Sequence, residues 1–164
     1  MPRPQNLTPM AKPLTPPEAL HRAAALCSSA EHCKADILDK LTRWGISPAD
    51  SRTIIDRLVQ ERFIDEPRYA IAFVKDKFRF SGWGRIKMRY ALQQKRIAGS
   101  DIDAALACLD EEQYTQRLLD LLRAKARSTT GDDPEARRAK LFRFATSRGF
   151  ESSLIFNALK QIEP

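Results

Sequence analysis

Three stretches of this 164-residue chain, "LTRWGISPADSRTIIDRL", "LQQKRIAGSDIDAALACL" and "ATSRGFESSLIFNALKQI", superpose on one another without a gap. The alignment places Gly45, Arg96 and Gly149 at one position and Ile46, Ile97 and Phe150 at the next. Ile55, Leu106 and Leu159 then share a position, as do Leu58, Leu109 and Ile162, and these two sets fall on one helical face. A period near fifty residues constrains the fold more than any composition figure, because repeats of that length are supersecondary units that bury their apolar faces against neighbours. Glycine is expected just past a helix, where the left-handed conformation is cheap, whereas arginine there costs about 1 kcal/mol. The middle copy, with Arg96, is therefore expected to close its turn differently.

Helix starts punctuate the chain. Pro16 and Pro17 follow Thr15, Pro48 follows Ser47, Pro67 lies two residues after Asp65, and Pro134 follows Asp132 and Asp133. Each combines a capping side chain with a proline whose missing N–H costs nothing in a first turn. Between these starts the apolar spacing is helical, as in Ile37, Leu38 and Leu41 or Leu118, Leu121 and Leu122, and no Val/Ile/Thr-rich run bounded by hairpin turns occurs. The expectation is an all-α fold of three tandem three-helix repeats over residues 15–62, 65–108 and 111–162, forming an elongated, curved array. Residues 1–14 carry four prolines, two basic residues and no acids, which predicts a flexible basic tail.

Within the second repeat, "FIDEPRYAIAFVKDKF" places Asp65, Arg68, Tyr69 and Ala70 in a pattern that resembles the "IDDxRFA" signature of the RecX family, with Glu66 in place of the second Asp. "GWGRIKMRYALQQKRI" is similar to that family's "GxxxIxxELxxKGI" through Gly84, Met88, Leu92, Lys95 and Ile97, and departs from it at Ala91 and Arg96. "AEHCKADILDKLTRWG" resembles the first-unit helix through Asp36, Ile37, Lys40, Leu41 and Gly45. The resemblance runs from about residue 18 to 162. It implies an all-helical modular fold, no cofactor, and binding along the groove of the RecA–DNA filament that restrains ATP hydrolysis and strand exchange.

The charge distribution bears on that implication. The chain has 28 Lys and Arg against 21 Asp and Glu, a formal net charge of +7. From Arg68 to Arg96 there are nine basic residues and one acid, Asp76. An ordinary solvated face mixes signs, so this excess suits an anionic partner. A helix from Trp83 to Lys95 would align Arg85, Arg89 and Arg96, and Arg68, Lys75 and Arg79 would form a second ridge on the preceding helix. Lys77, Lys87 and Lys95 complete the cluster. Trp83, between Gly82 and Gly84, reads either as a half-exposed anchor for a protein partner or as a cap on the core. Tyr69, Phe73, Phe78, Phe80 and Tyr90 are expected in the core rather than as base-stacking platforms. A second basic region around "STTGDD" contributes Arg137, Arg138 and Lys140, with Arg123, Lys125, Arg127, Arg143 and Arg148. The acid-rich stretch Asp101 to Asp120 lies between the two. These alternating patches fit either a surface that reads register along a partner or pairing between the repeats.

Candidate binding residues are thus Arg68, Lys75, Lys77, Arg79, Trp83, Arg85, Lys87, Arg89, Lys95, Arg96, Arg137, Arg138 and Lys140, with the RecA filament and its DNA phosphates as partners of a monomer. An autonomous helix-turn-helix-like DNA-binding module is the alternative, and a structural adaptor is a third reading. Nothing points to catalysis, for the sequence has no phosphate-cradling glycine loop, nucleophile elbow or HExxH. His21, His32, Cys27 and Cys33 lack the usual metal-ligand spacings, so no metal or other cofactor is expected. "LDEEQ" reads as a charged helix start rather than a magnesium site. An odd cysteine count without framework spacing, no apolar export segment and no run of eighteen apolar residues predict a cytoplasmic chain.

Overall fold

A computed structural model describes residues 12–131 and 133–162. Among them the regular structure is entirely helical: α1 (Pro16–Ser29), α2 (Lys34–Arg43), α3 (Pro48–Gln60), α4 (Glu66–Asp76), a π-helical turn (Lys77–Ser81), α5 (Arg85–Gln94), α6 (Gly99–Leu106), α7 (Glu111–Ser128), α8 (Pro134–Ser147) and α9 (Ser152–Ile162). The chain divides into two compact units between Ile64 and Asp65. The first holds α1–α3, and the 65–108 and 111–162 segments share the second.

The helix starts follow from side-chain chemistry. Thr15, Ser47, Asp65, Asp110 and Asp133 each accept a hydrogen bond from a backbone N–H in the first turn of their helix, at 3.4, 3.2, 3.0, 3.0 and 3.1 Å. Proline occupies the first turn of α1, α3, α4 and α8. Each such cap contributes about 1 kcal/mol by satisfying a donor that the helix leaves unpaired.

The first unit closes over Ala19, Ala23, Ile37, Leu41, Ile54, Ile55 and Leu58. Ordered packing begins before the boundary expected for the tail. Leu14 N donates to Trp44 O at 3.1 Å, and Pro13 lies so close to Gly45 that a Cβ there would meet Pro13 Cβ at 2.6 Å. The rest of the expected tail, 1–11, lies outside the described residues.

The repeated turn is built identically three times. Ile46, Ile97 and Phe150 donate to the carbonyls of Leu41, Leu92 and Ala145 at 3.0, 3.2 and 3.2 Å. Gly45, Arg96 and Gly149 all have positive φ, 81°, 59° and 92°. The middle copy therefore keeps the turn, and Arg96 bears the left-handed strain, because the anchoring of Ile97 in the core outweighs it. Arg96→Gly should raise stability by about 0.5–1 kcal/mol in urea unfolding of the full chain.

Candidate cationic interface

In the second unit, the start of α5 is pressed against the turn between α8 and α9. Gly84 N donates to Arg148 O at 2.7 Å and Ile86 N to Gly149 O at 3.0 Å. The approach requires two glycines: a Cβ on Gly84 would lie 2.4 Å from Gly149 O, and one on Gly149 would lie 2.4 Å from Lys87 Cβ.

Arg85 follows directly and turns inward. Its guanidinium donates to Glu111 Oε1 at 2.6 Å and Glu151 Oε2 at 2.7 Å, and lies 3.9 Å from the centroid of the Tyr114 ring. Arg85 N donates to Tyr114 Oη at 3.0 Å, and the phenol donates to Glu151 Oε1. Burial acts to lower the Arg85 pKa, but the hydrogen bond to Glu111 and the charge of Glu151 outweigh it and raise the pKa overall. Burial and the bond to Glu151 push the Tyr114 phenol well above its ordinary value, against the opposing effect of Arg85. Tyr114 is itself fully buried, stacked on Phe78 at 6.1 Å and packed on Phe150 at 5.2 Å.

This arrangement corrects the expected Arg85, Arg89 and Arg96 ridge. Arg85 joins α5 to α7 and the start of α9, and Arg89 is paired with Asp103 of α6 at 2.8 Å. Arg96 lies beyond the end of α5, in the turn. Of the neighbouring acidic stretch, Glu111 pairs with Arg85 between the 65–108 and 111–162 segments, whereas Asp103 pairs with Arg89 inside the first of them. Arg137 is also turned inward, donating to Thr129 O at 2.6 Å and Ala126 O at 2.7 Å, where it satisfies carbonyls at the C-terminal end of α7. Arg148 donates to Ser81 O at 2.8 Å.

Several of the other candidate cations face solvent. Lys75 and Arg79 come together beside Arg117, Phe78, Leu109 and Gln113 around a recess of about 480 Å³. Arg68, Arg96, Arg138 and Lys140 are exposed and Lys95 is half-buried. Trp83 is half-buried, edge-on to Phe73 at 6.2 Å, with the ammonium groups of Lys77 and Lys87 each 4.7 Å from its ring centroid. Two aromatics expected in the core are on the surface: Phe80 is 75% and Tyr90 63% exposed. Tyr90 lies two residues from both Met88 and Leu92, about 200° around the helix from their buried face. Phe80 falls in the π-helical turn, outside the α-helical register of the apolar stripe on α4.

Sequence reasoning missed Tyr114 and Glu151 altogether. Glu111 was read only as a charged helix start, a position it does hold in the first turn of α7. No local signal marks a phenol and a carboxylate 37 residues apart as partners. Cys27 and Cys33 are buried in the first unit and Cys108 is exposed. Among the described residues no group of three or more His, Cys, Asp or Glu side chains is placed to hold a metal ion, and no helix is long and apolar enough to cross a membrane.

Helices in this order, joined by the same left-handed turn, define a class of all-α proteins built from three-helix modules. A crystal structure of RecX from Lactobacillus salivarius superposes with a TM-score of 0.79, covering 90% of this chain and 96% of that one at 18% identity. Residues 65–106 match the family model described as the second three-helix domain of RecX, and residues 111–159 match the third. The regulatory protein RecX of Chlorobium phaeobacteroides is 34% identical over 145 residues, 88% of this chain and 93% of the relative. That of Pseudomonas putida KT2440 is 32% identical over 147 residues, 89% and 92% of the two chains. The chain belongs to the RecX family.

Proposed function

We propose that this protein is a non-enzymatic, cytoplasmic, monomeric regulator of the RecA recombinase, which binds in the groove of the RecA–DNA filament and restrains ATP hydrolysis and strand exchange. Its family membership supports a regulatory role, since the relatives carry the name regulatory protein RecX. The observation that carries the reading is the gathering of Lys75, Arg79 and Arg117 around one recess, where Asp110 is the sole acid among the described lining residues. An acidic groove or DNA phosphates held within the filament would supply the missing negative charge.

The helix-turn-helix alternative requires a second helix whose outer face meets base edges. In the α5–turn–α6 pair that helix is α6, "GSDIDAAL", which has two aspartates and no Lys or Arg and would be repelled by phosphates. The filament reading is therefore preferred.

The test is the double charge reversal Lys75→Glu/Arg79→Glu, measured as inhibition of DNA-dependent ATP hydrolysis by RecA. The expected result is at least tenfold weaker inhibition, with a shallower salt dependence than the native chain. An unchanged inhibition curve would reject this face. Arg85 and Arg89 are unsuitable for the purpose, because their reversal would break contacts inside the second unit.

A further inference from the structure

Phe142 of α8 and Phe156 of α9 pack on one another at the surface of the 111–162 segment, their ring centroids 4.9 Å apart and their planes tilted by 43°. Phe156 is 52% exposed and Phe142 is half-buried. Helical phase puts them there. Leu141 and Ala145 take the buried face of α8, and Phe142 is turned about 100° from Leu141. On α9, Ile155 and Leu159 are buried, and Phe156 follows Ile155 by the same angle. Each helix thus carries an aromatic ring off its core face, and the two rings meet outside the core.

Their surroundings are cationic. Arg138 stands one turn before Phe142 and Lys160 one turn after Phe156, on the same helix faces as the rings. Both are solvent-exposed, and among the described residues no carboxylate is paired with either. The other exposed positions three or four residues from the rings hold only Ala, Ser and Thr, which leave access to the rings open. An exposed apolar pair beside arginine is the composition of a protein contact surface. The tilted rings form an irregular apolar wedge rather than the flat platform on which a base stacks, so a bulky side chain fits them better than a nucleotide. The two cations, one on each helix, then call for carboxylates beside that side chain.

We infer that this face is a docking site for an acidic protein segment, which sets a bulky apolar side chain on the Phe142–Phe156 pair and its carboxylates on Arg138 and Lys160. The site goes beyond the filament reading, because it uses helices that do not line the Lys75 and Arg79 recess and brings a second protein to the chain with neither recombinase nor DNA present.

The test uses the full chain and a fluorescein-labelled peptide, Gly-Leu-Phe-Gly-Asp-Glu-Asp-Glu, with anisotropy read from 50 to 200 mM salt. Saturable binding is expected, weakening as salt rises because the ion pairs are exposed. Phe156→Ser should weaken it at least tenfold, as loss of a central aromatic anchor does. Arg138→Glu/Lys160→Glu should weaken it by a similar factor and remove most of the salt dependence. These three side chains are solvent-exposed, so both variants should retain the native circular dichroism spectrum. Arg43→Glu/Arg52→Glu on the first unit makes the same change in net charge as the second variant and should stay within twofold of the native chain. A peptide with Ser in place of Leu and Phe, and one with Asn and Gln in place of the acids, should each bind at least tenfold more weakly.

The docking site is overturned if the native chain does not bind the peptide, if either variant binds like the native chain, or if the first-unit control loses as much. The acidic-segment assignment is overturned if the amide peptide binds equally well, or if an oligo(dT) 20-mer binds with the same dependence on Phe156. It is also overturned if light scattering shows a dimer that Phe156→Ser dissociates, since a second copy would then hold the face. Both variants should inhibit ATP hydrolysis by RecA as the native chain does. A loss matching that of Lys75→Glu/Arg79→Glu would make this face part of the filament contact and overturn its separate role, whereas failure of the Lys75 and Arg79 test leaves peptide binding unaffected.

Discussion

Gly149→Ala should destabilise the second unit by about 4 kcal/mol or more, a large part of the roughly 5–15 kcal/mol that keeps an ordinary domain folded. A methyl group there would lie 2.4 Å from Lys87 Cβ and 2.5 Å from Lys87 N, at a backbone φ of +92°. The obstructing atoms belong to the rigid base of α5, so no side-chain rotation relieves the clash, and the backbone conformation adds its own penalty. Gly84→Ala should behave similarly, its added carbon falling 2.5 Å from Gly149 C. Gly99 is the control: it is the first residue of α6 with nothing within 4 Å of an added carbon, so Gly99→Ala should be neutral or slightly stabilising. Urea unfolding of the full chain followed by circular dichroism makes the comparison. A loss below about 1 kcal/mol at Gly149 would show that the α5 contact yields at little cost.

Arg85→Met should cost about 2–3 kcal/mol, because it leaves the Glu151 carboxylate beside Tyr114 without its cation. The two carboxylates do not share this loss equally despite similar bond lengths. Glu111 is 77% exposed and its charge is largely solvated, so Glu111→Gln should cost under about 1 kcal/mol. Glu151 is 29% exposed and also accepts the Tyr114 proton, so Glu151→Gln should cost about 2 kcal/mol. The hydrogen bond to Glu111 is the larger of the two influences holding Arg85 protonated, yet stability follows desolvation, which favours Glu151. A double-mutant cycle in urea separates the two pairs. Equal coupling to both carboxylates would contradict this ordering.

The helical class, the capped helix starts and the turn at Gly45 and Gly149 were legible because each depends on residues within a few positions of one another, whereas the same turn at Arg96 was expected to close differently and does not. Asp65 caps α4 across three residues, and Ile97 reaches the carbonyl of Leu92 across five. The core positions shared by the repeats were also legible: Ile46, Ile97 and Phe150 are all buried, as are Ile55, Leu106 and Leu159. The fate of each cation was not. Arg85 finds its carboxylates 26 and 66 residues away, and nothing in "GWGRIKMRY" distinguishes it from Lys87 beside it. Arg137 and Arg138 are adjacent, yet one satisfies the end of α7 and the other faces water, because neighbouring residues on α8 project about 100° apart. Tyr90 and Phe80 were misplaced for a related reason: an aromatic ring signals burial by composition, whereas helical phase decides it.

The glycine-to-glycine seam has a consequence for biosynthesis. Gly84 leaves the ribosome well before Gly149, and until the later residue emerges the start of α5 lacks the bonds from Gly84 N to Arg148 O and from Ile86 N to Gly149 O. The first unit, whose core lies wholly before Asp65, can close while translation continues. The nascent second unit must instead wait through the synthesis of some sixty further residues for these two bonds to seat α5, so it completes its packing later than the first.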